Sequence, residues 1–272
     1  MKKLQVILIG FGVAAVAGLY LLPKVVVDNE ATGEKIENGS DASTTISESH
    51  ENTLSSENRV QADQLLVQFK SAPTKEEKVA AAQVLAGIYK EEGIFDSAAY
   101  FWTEASTLWP ENLFLVEEAG KANYDAFSFA LDKKKVELLA EKTRSYLTRV
   151  VEKDPTRLDL KSKIAMTYVS SANPMQGITL LREILEEDPQ NEEGLFNMGV
   201  LSMQSGQYDR AIGRFEELVN AHPQNIQGQF YLGVSYFESK EKNKAKAQFE
   251  LVQKMTDDPM ILASIQDFLD KL

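Results

Sequence analysis

Between Pro189 and Asn225 the chain reads PQNEEGLFNMGVLSMQSGQYDRAIGRFEELVNAHPQN, and this stretch decides the fold. It opens and closes on a proline followed two residues later by asparagine, and the two prolines are 34 residues apart. Inside it the apolar and small residues recur at helical rather than alternating spacing. Leu195, Met198, Gly199 and Ser202 mark one run, and Ala211, Phe215 and Leu218 mark another. Ser205-Gly206-Gln207 is a turn signal between them. The pattern predicts a helix, a tight turn and a second helix. Gly199 and Ala211 fall where the two helices of such a hairpin cross, and a larger side chain there would force the axes apart. Phe215 fills the space against the next unit, and the proline ends the second helix.

Working outward, Pro155 lies another 34 residues upstream of Pro189. Asp154-Pro155 and Asp188-Pro189 repeat one dipeptide, which His222-Pro223 replaces. A fixed period of this size marks stacked supersecondary units. Residues 226–259 carry Leu232, Gly233, Tyr236, Ala245, Phe249 and Val252, with Asp257 in the proline's place and Pro259 just after it. Residues 158–191 carry Ile164, Ala165, Tyr168, Gly177, Leu181, Ile184 and Pro189. Further upstream, 79–112 offers Leu85, Ala86, Tyr89, Ala98, Trp102, Ala105 and Pro110, preceded by a capping-box pattern at Thr74 and Glu77. The intervening unit, 113–157, is divergent. Pro110 and Pro155 are 45 residues apart, eleven more than the period. Ala119 and Gly120 suit its first helix, and Leu147 and Val150 its second. The excess falls around Phe127 to Val136 and lengthens either both helices or their turn.

These anchor positions resemble those of the tetratricopeptide repeat, a family of 34-residue helical hairpins, over residues 79–259. The resemblance implies an all-α fold, a right-handed superhelical solenoid of stacked antiparallel helix pairs. It also implies an inner groove, lined by the first helix of each hairpin, that takes a protein partner. By resemblance the groove-facing residues are Ser162, Met166 and Val169, then Phe196, Val200 and Met203, then Phe230, Val234 and Phe237. Phe215 and Phe249 are expected to be buried between helices, and Phe196, Phe230 and Phe237 to be partly exposed. The Lys and Asn with which some relatives clamp the acidic C-terminus of chaperones are missing at the corresponding places. An aromatic and methionine-lined groove suits a protein or peptide with an apolar or amphipathic segment. The chain's own N-terminal helix, the divergent insertion or a second copy could also fill it.

Two flanking helices complete the expected domain of residues 58–272. One covers about 57–70, with Val60, Leu66, Val67 and Phe69. The other, 260–272, puts Ile261, Ile265, Phe268 and Leu272 on one face, as a solvating cap for a solenoid end.

The N-terminal part differs. Lys2 and Lys3, in a short cytoplasmic stretch of residues 1–3, precede nineteen uncharged residues from Leu4 to Leu22, ended by Pro23. As a helix that run spans roughly 28 Å, close to the hydrocarbon thickness of a bilayer. The reading is one transmembrane helix, 4–22, with the remainder on the non-cytoplasmic, periplasmic side of a cell inner membrane. Ala15-Val16-Ala17 leaves a cleaved signal peptide as the alternative. Gly10, Ala14 and Gly18 share one face of the run. Residues 23–57 form a spacer, acidic and polar from Asp28 onward, expected to be disordered because it holds too few apolar residues to offset the entropy of ordering.

A net charge of -12 argues against nucleic-acid binding and against adhesion to anionic lipid head groups. The absence of cysteine excludes disulfides and thiolate chemistry. With His50 and His222 as the two histidines, and no Gly-rich phosphate loop, neither a catalytic triad nor a metal or cofactor site is expected. His222 falls in a loop between repeats, where it suits a helix end. The function read from these features is a membrane-tethered, non-enzymatic scaffold or assembly factor for an exported or envelope partner. The alternative is a self-associating structural envelope protein, a homo-oligomer.

Overall fold

A computed structural model describes residues 54–272, which form twelve α-helices and no strand among the described residues. They are α1 (Ser56–Ser71), α2 (Lys75–Glu91), α3 (Phe95–Leu108), α4 (Leu113–Phe129), α5 (Lys133–Lys153) and α6 (Leu158–Val169). Then follow α7 (Pro174–Glu187), α8 (Glu192–Gln204), α9 (Tyr208–Ala221), α10 (Ile226–Glu238), α11 (Lys242–Met255) and α12 (Pro259–Asp270). Successive helices pack on one another, and α6 and α10 also touch α8, so the first helices of consecutive hairpins lie side by side. This is the stacked-hairpin solenoid expected from the period. The apolar run 4–22, its small-residue face, most of the spacer and His50 lie outside the described residues. Among those described, no helix is long and apolar enough to cross a membrane.

Local chemistry sets the helix ends. Asn112, Asn191 and Asn225 each place a side-chain oxygen on backbone N–H groups of the next first turn. Four such groups have no intrahelical partner, which explains an asparagine at the repeat boundary. Thr74 caps α2 by accepting from Glu77 N–H at 3.2 Å. Asparagine at 225 also donates to Glu192 (2.7 Å), one repeat back, and the His222 ring bonds Gln190 O at 2.7 Å. His222 is the C-cap residue of α9, and it ties neighbouring loops together.

Three of the five hairpin turns place one residue in the left-handed region. Gly206 supplies it between α8 and α9 with φ 71°. One repeat later the same position is Lys240, with φ 64°. A side chain there costs about 1–2 kcal/mol, partly offset by the entropy a glycine loses on folding. Lys240→Gly is therefore expected to stabilise the protein by about 0.5–1 kcal/mol. A denaturant midpoint at or below the parent's would contradict this.

Close approach explains the small residues of the hairpins. A Cβ on Gly199 would sit 2.7 Å from the Phe215 ring, and one on Gly233 would sit 2.8 Å from that of Phe249. Both rings are fully buried. On Gly177 a Cβ would strike the backbone oxygen of Ala165, which cannot turn aside as a side chain can.

The divergent unit resolves into two long helices. α4 has 17 residues against 13 in α8, and α5 has 21 against 14 in α9. The four and seven extra residues account for the whole surplus over the period. They are close to one and two full turns, so each apolar stripe stays in phase with the core.

One boundary is corrected. Residues 54–57 are not spacer: Ser55 caps α1, and its hydroxyl donates to Glu92 at 2.7 Å. On α1, Val60 and Val67 are 61% and 66% exposed, whereas Ala62 and Phe69 are buried against α2 and Leu66 packs beside them. Val60 and Val67 are seven residues apart and share the face of α1 opposite the core.

Candidate functional site

The inner wall is built from the first helices of the hairpins. Between α6 and α8, Asn197 donates to Ser162 Oγ at 2.9 Å, and Lys163 meets Glu193 at 3.5 Å. Lys163 also lies 5.3 Å from the Tyr124 ring centroid of α4. Nearer the N-terminus Lys90 pairs with Asp125 at 2.7 Å. The wall therefore carries a lysine and an asparagine, but Lys163 and Asn197 are bonded to Glu193 and Ser162.

At the base of this wall Arg157 grips Glu117 through two hydrogen bonds of 2.8 Å and holds Asp159 at 2.8 and 2.9 Å. Lys121 pairs with Glu117 as well. The Arg157 hydrogen bonds hold the Glu117 carboxyl at about 2, well below the ordinary carboxylate range, against a desolvation that pushes it up. Such a forked pair fixes the angle between α4 and α6. Sequence reading missed this polar half of the wall. Its signal was available in partners roughly one repeat apart: Lys90 and Asp125, Ser162 and Asn197, Glu117 and Arg157.

The predicted apolar site divides into two parts. Met166, Val169, Phe196, Val200 and Met203 are half-buried. Met166 packs with Leu158, Leu180, Met198 and Leu201 around the Ala165 cluster. Val169 lies against Gly177 of its own hairpin. Phe196 meets the Tyr231 ring edge-on at 5.5 Å, and Tyr231 stacks on Phe215 at 5.8 Å. Ser162 is buried.

In the last repeat the expectation of exposure is overturned. Phe230 and Val234 are each only 4% exposed. Phe268 of α12 reaches Phe230 at 6.1 Å, Phe237 at 5.2 Å and Phe249 at 5.2 Å, so the chain's own final helix covers this part. Phe237 remains half-buried. The physical reason is the end of the stack. Each hairpin needs a following helix to cover its apolar flank, and α12 supplies it with Ile261, Ile265 and Phe268. Among the described residues no group of three or more His, Asp and Glu is placed to hold a metal ion.

Comparison with known proteins agrees with this fold. The tetratricopeptide repeat family matches residues 193–225. No curated protein matches the sequence. Among solved structures, a tetratricopeptide repeat protein from Parabacteroides merdae is 16% identical, with 74% of each chain covered and a TM-score of 0.55. A thermophilic protein of the same kind from Thermus thermophilus is 13% identical, covering 70% of this chain and 98% of its own, also with a TM-score of 0.55. At this identity the likeness concerns the fold: the described residues form a tetratricopeptide repeat solenoid.

Proposed function

We propose that this protein is a protein-interaction scaffold whose inner wall along α6 and α8 takes an apolar or amphipathic peptide segment. The observation that carries this reading is that Met166, Phe196, Val200 and Met203 on neighbouring helices are only half-buried, beside a last repeat that α12 has closed. Methionine and aromatic side chains adapt to varied apolar partners, and polar Asn197, Lys163 and Glu193 at the margin can set register. Residues 4–22 tether the scaffold to the inner membrane, with residues 54–272 on the periplasmic side and an exported or envelope protein as partner. The lysines before the run and its length support this topology.

A second reading, self-association, is favoured by the exposed Val60 and Val67 at the open end of the stack. A photo-crosslinking residue at Val200 in the full-length protein distinguishes the two, with one at exposed Arg210 on α9 as control. The scaffold reading expects a heterologous adduct from Val200 and none from Arg210. Adducts of twice the chain mass support self-association instead. Equal labelling from both positions, or none from Val200, overturns the inner-wall site.

A further inference from the structure

The surplus turns of α4 and α5 have to project somewhere, and their loop-side ends are fixed. Asn112 caps α4 in register with the other repeats, and Arg149 of α5 donates to Pro110 O. The extra length therefore emerges at the opposite edge, where the hairpin turns lie. There α4 runs four residues further into its repeat than α2 does, about 6 Å at 1.5 Å per residue. The tip of this protruding hairpin is Ala130-Leu131-Asp132. Leu131 is 97% exposed, the most exposed large apolar side chain among the described residues.

Directly after the tip, the first turn of α5 is Lys133-Lys134-Lys135, with no acidic residue in that turn. Positive charge at a helix N-terminus opposes the macrodipole, and Asp132 is the one local compensation. Lys135 pairs with Asp96, whereas Lys133 and Lys134 are exposed and make no ion pair among the described residues. The macrodipole therefore makes this run of lysines unfavourable for α5 itself.

The same edge receives the chain from its N-terminal part. Ser55 and Asn58 bond Glu92, in the turn between α2 and α3, four residues before the Asp96 that holds Lys135. Residue 54 thus enters the domain on the same edge as the tip, and Met175, 60% exposed, stands on the next hairpin turn along this edge.

From these three features we infer that the hairpin tip is a membrane contact: Leu131 enters the head-group layer while Lys133 and Lys134 meet anionic lipid phosphates. The inference rests on the proposed anchor at 4–22, which would hold the domain within reach of a bilayer surface. Overall negative charge does not prevent such contact, because beyond about 8 Å it is screened at physiological salt while the lysines act at contact distance.

The chain has no cysteine, so a single one can be introduced and labelled cleanly. Full-length protein carrying Leu131→Cys or Glu111→Cys, each labelled with a small fluorophore, is reconstituted into vesicles of phosphatidylglycerol and phosphatidylcholine bearing a nitroxide lipid. Glu111 is exposed at the opposite edge. At least threefold greater quenching at 131 than at 111 is expected. That difference should fall away in purely zwitterionic vesicles and in the Lys133→Glu, Lys134→Glu background. Carbonate washing of the same vesicles reports on the anchor separately. Protein that resists washing but shows equal quenching at 131 and 111 overturns the tip contact and leaves the anchor standing. Protein that washes off, yet is quenched at 131 when bound, removes the anchor and keeps the tip. Protein that washes off and is unquenched removes both. Carbodiimide crosslinking of Lys133 or Lys134 to Glu48 or Glu51, with 131 unquenched, would assign the lysines to the chain's own acidic segment and overturn the membrane contact.

Discussion

Phe230→Ala is expected to destabilise the protein by about 3–5 kcal/mol, as much as Phe249→Ala. Both rings are buried, at 4% and 0% exposure, and they face one another at 6.1 Å with Phe268 against each. Removing either leaves a cavity that rigid helices cannot close. Phe237→Ala should cost less, about 1–2 kcal/mol, because its ring is half-buried and water already reaches one side. Chemical denaturation of the three variants checks the order. Phe268→Ala supplies the control: if α12 is an integral cap, it too should lower the midpoint substantially. A Phe230→Ala protein as stable as the parent would show that α12 does not seal the last repeat. Phe230 would then return to the groove as an exposed contact, as its repeat position alone suggests.

Acid sensitivity should be concentrated in the joint between α4 and α6. Glu117 titrates at about 2 in the folded protein because Arg157 and Lys121 bond its charged form. An ordinary glutamate titrates near 4.3. The unfolded chain therefore binds the proton first as pH falls. The stability from this pair is fully present above the unfolded value and is lost as pH drops from about 4.5 to about 2. The side chains of Glu117 and Arg157 are 17% and 29% exposed, so the pair is only partly screened. Its contribution is about 1–3 kcal/mol, the range for hydrogen bonds to charged groups. Glu117→Gln should lower stability by that amount at pH 6 and by almost nothing at pH 2. The difference between the two stability profiles isolates this pair from the other carboxylates. Parallel profiles from pH 6 to 2 would show that the Arg157 fork does not contribute.

Much of this arrangement was legible in the residues. The 34-residue proline period, Gly199 against Phe215 and Gly233 against Phe249 follow from packing two helices closely, and local sequence encodes that constraint. The eleven surplus residues of the divergent unit were legible as a surplus but not as helix. Lys133-Lys134-Lys135 is a poor helix start by charge, and α5 begins there only because Asp132 caps it and its later turns pack on α4 and α6. Val60 and Val67 are apolar, yet α1 packs mainly on α2, with Phe69 meeting Phe101 of α3, and leaves the face of the two valines open.

Sequence by itself determined the class of fold, the boundaries of the regular repeats and the residues buried inside each hairpin. Each of these depends on contacts within 34 residues, where spacing along the chain fixes which side chains meet. Tertiary structure alone decided which inner-wall residues remain open. Phe196 and Phe230 hold the same position in consecutive repeats, but the helix that follows each one differs. Tyr231 meets Phe196 edge-on and leaves it half-buried, whereas Phe268 and the rest of α12 close over Phe230. Exposure at a solenoid's surface depends on what stacks next, and a repeat's own residues do not carry that information.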